Sequence, residues 1–262
     1  MFRRGAASAA PLLLAALLPA AVSSPALHAP AGHVVVVELF TSQGCSTCPP
    51  ADRLLSSLGA QDGDRVVPLA FHVDIWNSTG WTDPFSRADW TKRQTAYARK
   101  FRADTIYTPQ AVVDGGAELV GSDAKALNAA IAQAAARPAG RLALQLRPDG
   151  SQVHVTIDVE LPDGLRKDSL DLMLAVFETG LVTDVGRGEN GGRQLHDDYV
   201  VRSLSRAAKL AAGGPSRTRT EASIALDPGW KEPHLGVAAF LQDPASLAIE
   251  GAAATMVDPR RE

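Results

Sequence analysis

The chain has 262 residues, 45 % of them hydrophobic and 21 % charged, with a formal net charge of −3. This composition excludes a disordered chain and demands a real core. The slightly negative balance excludes the overall basic excess with which nucleic-acid binders hold phosphate. Two cysteines cannot staple a protein of this size throughout, so the fold must rest mainly on packing.

The amino terminus reads as a targeting segment. Arg3 and Arg4 precede the apolar run PLLLAALLPAAV, and the small residues and prolines of SSPALHAPAG follow. That order is the pattern of a secretory signal peptide. The run falls short of the roughly 20 residues that a spanning helix needs. Residues 1–29 are therefore assigned as a signal peptide, with cleavage open between Ala26 and Ala29. Export to the bacterial periplasm is expected, with no membrane span after signal removal. An oxidising compartment of that kind permits a disulfide. About 235 residues remain, comfortable for two domains.

Next in the chain, VVVVELF (34–40) is a nearly continuous apolar run and predicts a strand buried on both faces. TSQGCSTCPP turns out of it, and ADRLLSSLGAQ (51–61) predicts a helix with Leu54, Leu55 and Leu58 on one side and Gly59 near its end. RVVPLAFHVDI (65–75) predicts a second strand that runs into the loop WNSTGWTDPF. SRADWTKRQTAYARKFRA (86–103) predicts a helix that buries Trp90, Tyr97 and Phe101, with Ser86 and Asp89 spaced as a capping box. Ala111–Val113 predicts a short strand, Asp114-Gly115 a tight hairpin turn, and 122–136 an alanine-rich helix ended by Arg137-Pro138. This order describes an α/β domain with a mixed sheet, residues 30–139, in which 76–103 is an inserted loop and helix.

Beyond Pro138 the period changes to two. A hairpin is expected over 142–161 and further strands over 169–182, 218–227 and 235–243. Residues 140–262 thus predict a second, β-rich, sandwich-like domain. Between its strands, DVGRGENGGRQLHDDYVVR gathers Asp184, Arg187, Glu189, Asn190, Arg193, His196 and Asp197 around glycines. It lacks the strand-turn-helix context of a dinucleotide site. Two readings stand: a hairpin loop closed by its own salt bridges, or a loop that binds an anion or a polar chain or brings a side chain to the cysteine face.

The cysteines themselves, Cys45 and Cys48, follow a valine-rich strand and precede a helix. Pro49 and Pro50 belong near the helix start, where a missing N–H is tolerated. Cys45 is expected just before or at the amino terminus and Cys48 one turn inside. Free N–H groups and the helix dipole favour a thiolate there. Cys45 is then the attacking thiol and Cys48 the resolving one. A closed zinc site lacks a second cysteine pair, although a site completed by His72 is conceivable. A structural disulfide also stays open, though so small a loop constrains the unfolded chain only modestly.

This segment resembles the active site of the thioredoxin-like superfamily. The resemblance implies an exposed nucleophile at Cys45, a buried Cys48, and a cis-proline opposite the pair, a place matched by Thr108-Pro109. A closer resemblance is carried by VELFTSQGCSTCPPAD, HVDIWNSTGWTDPFS, YTPQAVVDG and GENGGRQLHDDYVVR. Together these are similar to a family of exported bacterial proteins defined by a domain of unknown function of the DUF1223 type. Departures from ordinary thioredoxins include Gly44, where tryptophan is usual, and Ser46-Thr47 between the cysteines. The strand's acid, Glu38, lies one position back from the aspartate usual there, and either accepts the Cys48 proton through water or is exposed or salt-bridged.

The Trp76–Phe85 loop carries Trp76, Trp81 and Asp83 beyond His72 and Asp74 at a strand end, where α/β sheets place ligands. The tryptophans either contact a partner or fill the seam between domains. His72 either handles protons or is a satisfied strand-end histidine. These readings make an exported thiol-disulfide oxidoreductase acting on protein thiols or disulfides, reset by a further redox partner. It needs no cofactor or metal, and binds no nucleic acid. The alternatives are a non-catalytic binding module of the same fold and a copper- or zinc-handling protein.

Overall fold

The computed structural model describes residues 32–166 and 168–257, together with Met1. The remainder of the expected signal peptide lies outside the described residues. Among the described residues no helix is long and apolar enough to cross a membrane.

The first half of the chain runs β1 (Val35–Thr41), α1 (Pro49–Asp62), β2 (Val66–His72), α2 (Ala88–Phe101), β3 (Gln110–Val113), β4 (Ala117–Val120) and α3 (Ala124–Ala135). β1 is buried at every position, as its unbroken apolar run requires. It pairs parallel with β2 and antiparallel with β3, so the sheet is mixed. Asp114 and Gly115 both hold positive φ, 45° and 60°, in the tight turn between β3 and β4.

The second half supplies β5 (Arg141–Asp149), β6 (Gln152–Glu160), β7 (Leu170–Glu178), β8 (Leu181–Asp184), β9 (Gln194–Asp197), β10 (Val200–Leu210), β11 (Arg217–Ala225), β12 (Leu235–Gln242) and β13 (Ile249–Met256). The strand order β13-β12-β7-β10-β2-β1-β3-β4 makes one eight-stranded sheet across both halves. The joint is short. β10 pairs parallel with β2 at Val200 and Ala70, where the Ala70 N–H donates to the Tyr199 carbonyl at 2.8 Å.

Three hydrophobic layers hold this sheet. α2 covers one face, with Trp90 and Tyr97 packed among Phe40, Phe71, Phe177 and Phe240. On the other face, α1 and α3 bring Leu55, Leu58 and Leu127 against Val35, Val37 and Leu39. Farther along, the separate sheet β11-β6-β5 packs Val155 and Ile157 against Leu172, Leu174 and Leu241, which is the sandwich-like part. Each fully buried leucine or phenylalanine contributes about 1.5–3 kcal/mol. Packing therefore suffices without a disulfide.

Several local expectations are corrected. α1 starts at Pro49, so Cys48 is the residue before the helix and Cys45 sits in the preceding turn. The two prolines fill the first helical positions, where no N–H is needed. Gly59 falls in the last turn of α1, as expected, and a Cβ there would meet the Tyr199 hydroxyl at 2.2 Å. The capping box does not form. Arg87 precedes α2, the Ser86 hydroxyl donates to the Asp83 carbonyl, and Asp89 accepts from Lys92. The strand expected over 169–182 is broken by a turn into β7 and β8, with Gly180 at φ 64°.

Candidate functional site

Both thiols are free. The turn that carries them is closed by the Cys48 N–H on the Cys45 carbonyl at 3.3 Å. Cys45 Sγ lies 3.3 Å from the Thr47 hydroxyl and 3.8 Å from the Thr108 carbonyl oxygen. A hydrogen bond from the Cys48 thiol, followed by those from Thr108 and Thr47, outweighs burial and brings the Cys45 pKa down to about 6. Cys48 goes the other way. Burial first, then its bond to Cys45 and the charge of Asp52, hold it as a thiol far above the usual range. The two cysteines are thus chemically unequal.

Thr108-Pro109 is a cis peptide and forms the wall opposite Cys45. Trp76 completes the wall by donating its indole N–H to the Thr108 hydroxyl at 2.8 Å. Its Cβ sits so close to Gly44 that a Cβ on Gly44 would lie 2.9 Å away. Trp76 thus packs its Cβ and backbone directly against Gly44, the residue before Cys45. Trp81 donates to Gln43 Oε1 at 3.1 Å and packs beside Gly186 and Gly188, in the seam between the two halves.

The glycine-rich loop between β8 and β9 closes the remaining side. Asn190 is buried and donates from Nδ2 to the carbonyls of Gln43 and Cys45, both at 2.9 Å. Glu189 accepts from the Ser46 N–H at 3.1 Å, and Arg193 steadies Asn190 at 2.8 Å. Of the two readings of this loop, contact with the cysteine turn is the one the geometry bears out. The exposed nucleophile that the resemblance implies is corrected: Cys45 is 2 % exposed, although Ser46 and Thr47 beside it are open to solvent.

Beneath the pair lies a cluster of buried acids and one imidazole. The Thr41 hydroxyl donates to Asp52 at 2.6 Å. Asp52 keeps part of its surface in solvent while its carboxyl turns inward, and burial together with the charge of Asp197 raises its pKa to about 7. His72 Nδ1 bonds Asp83 Oδ2 at 2.7 Å, both side chains being buried. Burial opposes the imidazolium, yet Asp83, Asp197 and Asp52 outweigh it and raise the His72 pKa to about 9. Asp83 in turn also accepts from the N–H groups of Gln43 and Phe85. Of the readings for His72, the geometry gives an ion-paired strand-end residue beside the acids.

Glu38 is not at the pair. Arg93 grips it bidentately, at 2.5 and 2.8 Å, and the Tyr97 hydroxyl donates to it at 2.6 Å. Its alternation along β1 points it to the α2 face, so the salt-bridged alternative is realised. Asp52 had a signal in the sequence: it lies four residues after Cys48, one helical turn on, and its N–H bonds the Cys48 carbonyl at 3.1 Å. Gln43, Thr41 and Asn190 had no such signal, because only tertiary approach makes them part of the site. His196 and Asp197 alternate out and in along β9, so they do not share a face. Among the described residues no group of three or more His, Cys, Asp or Glu side chains is arranged to hold a metal ion.

A cysteine pair at a helix start, facing a cis-proline from a mixed sheet, defines a thioredoxin-like protein, here extended by a β-rich half. Residues 36–242 match the family described as "Protein of unknown function (DUF1223)", and the chain belongs to that family. Among solved structures it is similar to protein AGR_C_4864 from Agrobacterium tumefaciens. The two are 27 % identical over 89 % of this chain and 99 % of that one, with a TM-score of 0.69. It also shares its fold with HBP35 of Porphyromonas gingivalis, at 17 % identity, 89 % and 79 % coverage and a TM-score of 0.62. No curated protein matches the chain.

Proposed function

We propose that the protein is an exported, periplasmic thiol-disulfide oxidoreductase that acts on protein substrates through Cys45 and Cys48. The observation that carries this reading is the unequal placement of the thiols: Cys48 is fully buried directly before α1, whereas Cys45 Sγ lies in the preceding turn, 3.3 Å from the Thr47 hydroxyl, which favours the thiolate at Cys45 and the thiol at Cys48. In the reductive direction the Cys45 thiolate attacks a substrate disulfide, forming a mixed disulfide and expelling one substrate thiolate, which takes a proton from solvent. Cys48 then passes its proton to Asp52 through water and attacks Cys45 Sγ. The Cys45–Cys48 disulfide forms and the second substrate thiolate leaves. The oxidative direction is the reverse, and a redox partner resets the pair.

Replacing Cys48 by serine removes the resolving step. The expected result is an accumulation of mixed disulfides on Cys45 in the exporting compartment, visible on non-reducing gels. Capture of nothing, together with a Cys45 that resists alkylation, overturns the proposal. One observation favours a second reading, a non-catalytic binding module: Cys45 is almost covered by Trp76, Thr108 and the Asn190 loop. Full biological activity of a double Cys45→Ser, Cys48→Ser variant would select that reading.

A further inference from the structure

We infer that Asp197, delivered by β9, shares one proton with Asp52 and is the positioning residue that sets when Cys48 is deprotonated. This rests on the thiol-disulfide reading and adds a component from the β-rich half to it.

The inference starts from charge counting in a closed space. β9 packs against α1 and carries Asp197 inward, 3 % exposed, with Gln43 Nε2 donating to Oδ2 at 2.7 Å. Asp52 approaches from α1, held by Thr41 of β1. His72 of β2 is the register partner of Thr41, which anchors Asp52, and its partner Asp83 of the 76–85 loop also accepts from the Gln43 N–H, so Gln43 joins it to Asp197. Asp52 follows Cys48 by one helical turn, its N–H donating to the Cys48 carbonyl at 3.1 Å, and Asp198 follows Asp197 in the chain. Three carboxylates thus meet one imidazolium. Asp83 takes that cation by direct contact and is held below the usual carboxylate range, although burial works against it. Asp52 and Asp197 are left without a full counter-charge.

Two nearby buried carboxyls in that position do not both ionise, so one proton stays with the pair and the pair titrates as a unit. Both acids are pushed up, burial being the largest cause for each. A carboxylate that keeps a proton near neutrality is matched to a thiol that must lose one. Removing the Asp197 charge makes Asp52 a stronger acid; removing the His72 charge makes it a weaker one.

The test uses the mature protein and Ellman's disulfide. Cys45 forms a mixed disulfide with one thionitrobenzoate released, and attack by Cys48 releases the second. In the wild type the rate of the second release should rise with pH through about 7. Asp52→Asn should slow it by about 100-fold or more and flatten the profile. Asp197→Asn should move the midpoint to lower pH, and His72→Gln should move it to higher pH. Should His72→Gln fail to fold, the direction of the Asp197→Asn shift decides alone. Carboxyl ¹³C titration of the same variants should report the same opposite shifts at Asp52. A normal second release whose midpoint ignores Asp197→Asn overturns the inference and leaves the oxidoreductase reading standing. Absence of any second release from wild type overturns that reading and the inference with it.

Discussion

The two faces of the central strand β1 carry two buried acid networks, and they differ in how the charge is balanced. On the α2 face, Glu38 meets one guanidinium and one phenol and is satisfied at both oxygens. Gln242 of β12 joins by donating to the Tyr97 hydroxyl and accepting from Arg93, so the network clamps the two halves of the sheet. On the α1 face, Asp52, Asp83 and Asp197 share a single imidazole. A balanced network holds its protons across the physiological range and serves structure. An over-acidic one retains an exchangeable proton, which is a property chemistry can use.

The comparison breaks most sharply at Arg93. Arg93→Leu leaves the buried Glu38 carboxyl with the Tyr97 hydroxyl but no cation, and should cost about 3–5 kcal/mol in urea unfolding. The alkylation profile of Cys45 should stay unchanged; a shifted profile would mean the two networks are coupled.

Asp83→Asn probes the other face. His72 has a folded pKa raised to about 9, so its pairing stabilises the fold fully below its unfolded value and loses that stabilisation as pH rises through about 9. Asp83 is held low, so its share is lost as pH falls through its folded value. The variant should be less stable near neutrality by about 1.5–3 kcal/mol, the cost of losing a buried hydrogen bond to a charged group. Denaturation series at several pH values should show that gap closing on both the alkaline and the strongly acid side. A gap independent of pH would remove charge from the explanation.

Smaller effects test the thiols. Iodoacetamide should modify Cys45 with a midpoint near pH 6, while Cys48 stays inert at neutral pH. Thr47→Val removes a hydroxyl 3.3 Å from Cys45 Sγ and should raise that midpoint by about one pH unit. Asn190→Ala removes two bonds to the cysteine turn and should cost about 1 kcal/mol. It should also speed Cys45 alkylation a few-fold without moving its midpoint. An unchanged rate would show that the β8–β9 loop is not what limits access.

Much of the α/β half was legible because its signals are local. VVVVELF announces a covered strand, Pro49-Pro50 a helix start and Asp114-Gly115 a hairpin, and the resemblance to thioredoxin-like proteins implies Thr108-Pro109 opposite the cysteines. Legibility failed where a residue's role depends on which way a strand turns it. Glu38 and Asp52 are both acids near the pair in sequence, but alternation along β1 sends Glu38 to Arg93, while the helical turn after Cys48 leaves Asp52 below the thiols.

The sequence by itself determined the cysteine pair, the strand and helix that hold it, the apolar layers and the change of period after Pro138, since each follows from neighbouring residues. Tertiary structure alone decided that β10 joins β2 into one sheet, that Trp76 stands where Gly44 leaves room, and that Asn190 and Asp197 reach the thiol site. The reason is physical. Those contacts join segments more than a hundred residues apart or fill space a glycine vacates, and only the packed fold says which buried charges must share a proton.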